Sequence, residues 1–376
     1  MSVQLAIINK NAVTLASNKK TIINIRLSEI DPVGIMVYGN PYLMGVHWES
    51  LISKYRDMYG DTFHNTLKGY SDEFMEFLQD SRELFLEESQ EVYFYEKYSA
   101  FIKNLKEKSD HDKVKLQNII EYTYERLKKK EKLNMFDVSN HSDGSGFRKY
   151  SQMVYDSIED VFFEYELGDY YNDMLFNIGR YLFSRPSFDN QSSGVIIAGY
   201  GNKDLHPSII SYEIDSVIDN TLIYRQTLSR VCDALNDGNI YQFKFNNIIP
   251  LSEEIDFHFI VYIKTYIQRI LNSYNTHIIN TVPQLSEFES TALNNLKENI
   301  IDNLKKDFDS FIEENYVRKM LSSINLMSKG EMVMIAKALL HIIDFKEKNP
   351  NEGNLSARSL ETVVISRMTG YKKEEW

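Results

Sequence analysis

Val3-Gln4-Leu5-Ala6-Ile7-Ile8, the turn Asn9-Lys10-Asn11, a second run closing on Ala16-Ser17-Asn18, and then Pro32-Val33-Gly34-Ile35-Met36-Val37-Tyr38-Gly39-Asn40 decide how this chain is read. The first two runs have strand length, and the Asn-Lys-Asn between them tolerates tight-turn geometry, so the pair predicts a β-hairpin. A third run, Thr21 to Leu27, mixes Ile with Asn and Arg. The fourth, Val33 to Tyr38, is continuously apolar, as a strand covered on both faces must be, and Gly39-Asn40-Pro41 stops it. The chain thus opens in a buried strand with Ser2 at its head.

Beyond these strands the period changes at Leu43. Trp48, Leu51, Ile52 and Tyr55 share one helical face, and apolar residues continue at three- and four-residue spacing from about 70 to 183. The cluster Tyr93-Phe94-Tyr95 with Tyr98 and Phe101 reads as a helix packing stripe, Lys128 to Lys132 as the end of a charged helix, and Asn140 to Gly146 as a surface loop. Strand character returns over Gly194 to Tyr200, Ile209 to Val217 and Ile223 to Leu228. Helical character follows over Ser252 to Leu271 and Phe288 to Phe345, and Val363 to Ser366 reads as a last strand with a turn at Thr369-Gly370. Strands, helices, strands, helices, strand is an order that suits one sheet-containing core with helical excursions better than tandem domains.

The 376 residues, 43% of them apolar, are enough for a sizeable core, and a formal net charge of −12 argues against a nucleic-acid-binding surface. The single cysteine, Cys232, can form no intrachain disulfide and fits a reducing compartment. The apolar start is broken at Asn9-Lys10-Asn11 and no run reaches membrane-spanning length, so a cytoplasmic chain without membrane contact is expected. The eight histidines show no paired-ligand spacing, and Gly199-Tyr200-Gly201 lacks the third glycine and helix of a dinucleotide fingerprint. No metal and no cofactor is predicted. Gly199 reads as a close backbone approach at a strand end, and Glu253-Glu254 as a solvated helix face.

The hairpin, the Ala16-Ser17-Asn18 corner and the Val33 to Asn40 strand resemble the proteasome β-subunit and HslV protease group of N-terminal nucleophile (Ntn) hydrolases. Gly45-Val46-His47-Trp48-Glu49, Ile197 to Gly201, Pro207 to Asp215, Ile249-Pro250 and Val364-Ile365-Ser366 are similar, in the same order, to an uncharacterised bacterial proteasome-like family. The resemblance implies an α+β fold, a four-layer αββα Ntn-hydrolase-like sandwich with a large helical insertion. Its first part would be residues 1–58, the insertion 59–190, and its second part, with helices and a C-terminal strand, 191–376.

The resemblance also implies a chemistry. A side-chain oxygen at the head of the first strand attacks an amide carbonyl, and the free α-amino group, of ordinary pKa about 8, takes the proton. A lysine on a neighbouring strand lowers the nucleophile's effective pKa, and an aspartate positions that lysine. On this chain the nucleophile falls on Ser2, exposed once Met1 is removed. The aspartate position falls on Asn18, which keeps an oxygen but loses the charge, and the lysine position on Ile23. Lys19, Lys20 and Arg26 are the cations that could substitute under another register. Removing a group that stabilises transition-state charge costs about 10²- to 10³-fold in rate. The expectation is therefore a proteasome-like Ntn-fold protein that is catalytically degenerate, a pseudoenzyme keeping fold and self-assembly. The alternative is an active Ser2 peptidase or amidohydrolase in an oligomeric ring. Expected partners are further copies, or a related subunit in a hetero-ring, and a protein or peptide substrate.

Overall fold

The computed structural model describes residues 4–26, 32–132, 146–184, 188, 192–233, 236–244, 247–250, 257–281, 287–347 and 360–374. The opening hairpin is present as β1 (Gln4–Ile8) and β2 (Val13–Ser17), paired antiparallel with Gln4 opposite Ser17. Asn9 makes the turn specific: its Oδ1 accepts from the backbone N–H groups of Asn11 (3.0 Å) and Ala12 (3.1 Å). Its Nδ2 donates to the carbonyls of Ile324 and Met327 across the molecule. A buried amide fully used in this way fixes both the turn and the helix end behind it.

The remaining strands are β3 (Ile22–Asn24), β4 (Val33–Gly39), the short pair β5 (Tyr42–Leu43) and β6 (Val46–His47), β7 (Ser193–Gly199), β8 (Ser208–Ile218), β9 (Thr221–Val231), β10 (Asn239–Lys244), β11 (Asn247–Pro250), β12 (Glu361–Ser366) and β13 (Gly370–Glu374). They form a six-stranded sheet in the order β11-β10-β1-β2-β12-β13 and a five-stranded sheet in the order β3-β4-β7-β8-β9, antiparallel throughout. The third run condenses to three strand residues. The strand expected over 223–228 is longer, because Asp219 and Asn220, both at positive φ, make a tight turn between β8 and β9. The pairing of β10 with β1, and of β13 with β12, has no local sequence signal as clear as the opening hairpin.

Side-chain alternation explains why β1, β2 and β12 are buried at every residue. Ala6, Ile8, Val13, Leu15, Val363 and Ile365 pack against Met36, Tyr38, Ile196 and Ala198 of the other sheet. Leu5, Ile7, Ala16 and Val364 point the opposite way, onto helices α9 (Arg318–Leu326) and α10 (Lys329–Glu347) through Ile324, Met332, Ala336 and Leu340. The outer face of the five-stranded sheet is covered by α1 (Trp48–Tyr59) and α2 (Leu67–Asp80), with Ile35, Val37, Val195 and Ile197 against Leu51, Ile52, Tyr55 and Phe74. The fold is thus mixed α+β, with two antiparallel sheets face to face and helices on their outer faces.

The segment 59–190 divides in two. α2 belongs to the cluster it shares with α1, whereas α3 (Glu87–Lys108), α4 (Lys113–Lys132), α5 (Phe147–Phe162) and α6 (Asp169–Ser184) bury their own core, from Phe94, Tyr98 and Ile102 to Val154 and Phe183. It meets the sheet at Ile218 and Ile223. Most of the loop read at 140–146, and Glu253-Glu254, lie outside the described residues. Farther on, α7 (Phe257–Thr281) runs ten residues past the expected end at Leu271, and the helical character read over 288–345 is carried by three helices: α8 (Glu287–Ile312), α9, entered through a π turn at Glu313–Val317, and α10 after a stop at Met327. Among the described residues no helix is long and apolar enough to cross a membrane.

Candidate functional site

The head of β1 lies in the middle of the six-stranded sheet, and the alternation that turns Ala6 inward turns Gln4 inward too. Register then puts Ser17 opposite Gln4 and Glu361 opposite Ser17, so three buried polar residues form a row across three strands on the inter-sheet face. The Glu361 carboxylate is 4% exposed and reaches over to the other sheet: Oε2 accepts from the N–H groups of Thr21 (3.0 Å) and Ile22 (3.1 Å), and Oε1 pairs with Lys373 of β13. Ser17 Oγ accepts from Lys19 N at 3.1 Å and from Thr21 Oγ1 at 3.0 Å. The 17–22 corner is thereby held by two side chains on neighbouring strands. Gln4 is 1% exposed, and among the described residues neither its Oε1 nor its Nε2 has a hydrogen-bond partner.

Beside this row opens a cleft of about 360 Å³, with Ile22, Val37, Trp48 and Ile52 as apolar floor and Lys19, Lys20, Lys373 and His47 at its polar wall. His47 Nδ1 accepts from Glu49 N at 3.2 Å and so caps α1, which fixes Trp48 at the first helical position and buries it in the floor. The three lysines meet two acids, Glu49 and Glu361, and Glu361 is already answered by Lys373 and two N–H groups. The cleft is therefore suited to a ligand that joins an apolar body to a carbonyl or carboxylate.

The structure treats the expected site residues differently. Ser2 lies outside the described residues, two positions before Gln4. Asn18 is buried at the end of β2, and Lys19 and Lys20 are exposed on the rim of the cleft. Ile23 is half-buried against the α1–α2 side, and its neighbour Ile22 is the residue of β3 that faces the other sheet. Either residue presents an apolar side chain. Arg26 is turned away from the cleft, 2% exposed, with Nη1 on the Tyr59 carbonyl at 3.2 Å and its guanidinium over the rings of Phe63 (5.2 Å) and Tyr70 (4.8 Å). Arg26 thus serves the helix-covered side of the five-stranded sheet.

Sequence reasoning passed over Glu361 and Lys373. They stand more than 330 residues from the 17–22 corner in the chain, and only the β2–β12–β13 pairing brings them there. A second buried charge was equally silent: Asp215 of β8 pairs with Lys97 of α3 and accepts from Ser192 Oγ (2.7 Å) and Ser216 Oγ (2.9 Å), tying the helical segment to the sheet. Gly199 has φ +142°, and a Cβ there would strike the Pro32 carbonyl, which accepts from Tyr200 N at 3.2 Å. That is the close approach read from its place at a strand end.

Comparison with models of known protein families, with curated proteins and with solved structures gives no match.

Proposed function

We propose that this chain is a proteasome-like Ntn-fold protein, a four-layer αββα sandwich with a large helical insertion, that is catalytically degenerate and works through its fold and self-assembly. The observation that carries the reading is the order β11-β10-β1-β2-β12-β13 stacked on β3-β4-β7-β8-β9, with the first strand central and its head in one buried polar row with Ser17 and Glu361 on the inter-sheet face. An Ntn nucleophile needs that position. Degeneracy is supported by the side chains around it: Asn18 in place of a carboxylate, Ile22 and Ile23 where β3 would supply an ammonium group, and Arg26 committed to Tyr59, Phe63 and Tyr70.

A second reading, an active Ser2 peptidase or amidohydrolase in an oligomeric ring, is favoured by one observation. Lys373 brings an ammonium group to Glu361, in the same polar row as Gln4 and Ser17, where it could replace the absent lysine electrostatically. In that mechanism the Ser2 oxygen attacks an amide carbonyl, its proton passes to the Ser2 α-amino group, and the amine leaves with that proton. The intact mass of the purified chain is the first test. Retained Met1 ties the Ser2 nitrogen into a peptide bond and ends the enzyme reading. With Met1 absent, hydrolysis of fluorogenic peptides that is lost in both Ser2→Ala and Lys373→Met would replace the degenerate reading with the active one.

A further inference from the structure

The cleft of about 360 Å³ between the head of α1, β3 and β13 offers more hydrogen-bond donors than it uses. Both oxygens of Glu361 are taken, Oε2 by the N–H groups of Thr21 and Ile22 and Oε1 by Lys373. Lys19 and Lys20 are exposed, and among the described residues neither ammonium group has an ion-pair partner. The tautomer of His47 is set by its capping role. Because Nδ1 accepts from Glu49 N at 3.2 Å, the neutral ring carries its proton on Nε2, and that edge is a further donor. Trp48 lies in the floor, 2% exposed, and its indole N–H has no acceptor among the described residues. A buried donor without an acceptor is unfavourable until something supplies one.

We propose that this cleft binds a small monocarboxylate with an apolar body. Charge selects a single anion: the lining holds the ammonium groups of Lys19, Lys20 and Lys373 against the carboxylates of Glu49 and Glu361, which leaves one positive charge when His47 is neutral. His47, Trp48 and Glu49, the N-cap and first two residues of α1, all line the cleft, so the positive end of the helix adds to that side. Ile22, Val37, Trp48 and Ile52 give the apolar floor, a surface that favours a hydrocarbon body over a sugar or an inorganic anion. At roughly 30 Å³ per non-hydrogen atom, as in liquid water, the volume admits about a dozen such atoms, the size of 3-phenylpropionate or octanoate. The carboxylate lies toward Lys19, Lys20 and the Nε2–H of His47, and the body against Trp48 and Ile52. The same chemistry is carried by a free acid and by the C-terminus of a peptide ending in an apolar residue. The site draws on no atom of Ser2, so it goes beyond the pseudoenzyme reading and does not depend on it.

The test is a titration of the full chain carrying Trp376→Phe, which leaves Trp48 as its single tryptophan, with fluorescence and calorimetry read in parallel. 3-Phenylpropionate should bind at one site with a Kd of about 10–100 μM and change the Trp48 emission. 3-Phenylpropanamide, alike in shape but uncharged, should bind about tenfold more weakly. Lys19→Met with Lys20→Met should weaken the acid about tenfold and leave the amide unchanged, with the circular dichroism of the parent because both positions are exposed. Ser2→Ala should bind as the parent does, which separates this site from any Ser2 chemistry. Octanoate and a tripeptide ending in phenylalanine, the latter with a free and with an amidated C-terminus, distinguish the two sources, and the tighter binder identifies which one the cleft fits. An amide that binds as tightly as its acid, calorimetric binding without a change at Trp48, a lysine double variant of parental affinity, or loss of binding in Ser2→Ala would each overturn the proposal. So would the absence of saturable binding below about 1 mM.

Discussion

Glu361→Ala is the substitution whose cost follows most directly from the structure. The carboxylate is buried, and its removal leaves the Thr21 and Ile22 N–H groups without their acceptor and Lys373 without its partner. An orphaned buried donor costs about 1–3 kcal/mol, and since Thr21 is half-exposed the two together come to about 2–4 kcal/mol. Lys373→Met removes the other partner, but its side chain is 56% exposed and the carboxylate keeps both N–H donors, so about 1 kcal/mol is expected. Glu361→Gln retains an acceptor oxygen and should fall between the two. Equilibrium urea unfolding read by Trp48 fluorescence reports on the same cleft, and the double variant should lose less than the sum of the single ones, since the pair shares one contact. If Glu361→Ala unfolds within about 0.5 kcal/mol of wild type, or if Lys373→Met costs as much, the carboxylate does not join the two sheets as described.

The other expectations concern the core. Gln4→Met should stabilise the chain by about 1–2 kcal/mol in the same urea assay, because it replaces two buried polar atoms that have no partner among the described residues; destabilisation would mean that the amide is used. Phe74→Ala, which empties the center of the α1–α2 layer, should cost about 3–5 kcal/mol. Gly194→Ala should destabilise markedly because a Cβ there is driven into the Tyr38 ring, and Tyr38→Ala in the same chain should recover part of the loss; no recovery would refute the clash. Alkaline pH should destabilise the fold. Burial pushes the Cys232 thiol up to about 11 and Tyr150 up to about 12, and raises Tyr55 and Tyr98 still further. Each group is neutral when protonated and its folded pKa is raised, so its stabilisation is complete below the unfolded value and is lost as pH rises through the folded one. The urea midpoint should therefore hold at pH 8 and fall from about pH 9 upward, and Cys232 should react with a disulfide reagent only on unfolding.

What was legible in the sequence follows contact distance along the chain. The β1–β2 hairpin, β4, β7 and the helical stripes carry their own signals, in apolar runs, a turn amide and three-four spacing, and each stands where it was read. β10, β11 and β13 were missed because Asn239–Lys244 mixes polar residues into its run and Gly370–Glu374 is mostly charged; they become strands by pairing with β1 and β12. Helical character was read over 288–345 without its internal breaks, since Glu313–Val317, the π turn, has the composition of a helix. Near the cleft, Asn18, Lys19 and Lys20 were read from the corner they occupy in the sequence. Glu361 and Lys373 were not, because their place beside that corner is set by the return of the last two strands to β2.

Covalent labelling tests the proposed Ntn-like architecture without a working nucleophile. Wild type and Ser2→Ala are treated with a β-lactone that acylates activated N-terminal hydroxyls, and the intact masses are compared. Apart from the substitution itself, both chains are expected to show the same mass, with no adduct that depends on Ser2. A single stoichiometric adduct on wild type that is absent from Ser2→Ala would contradict it and make this chain an active hydrolase.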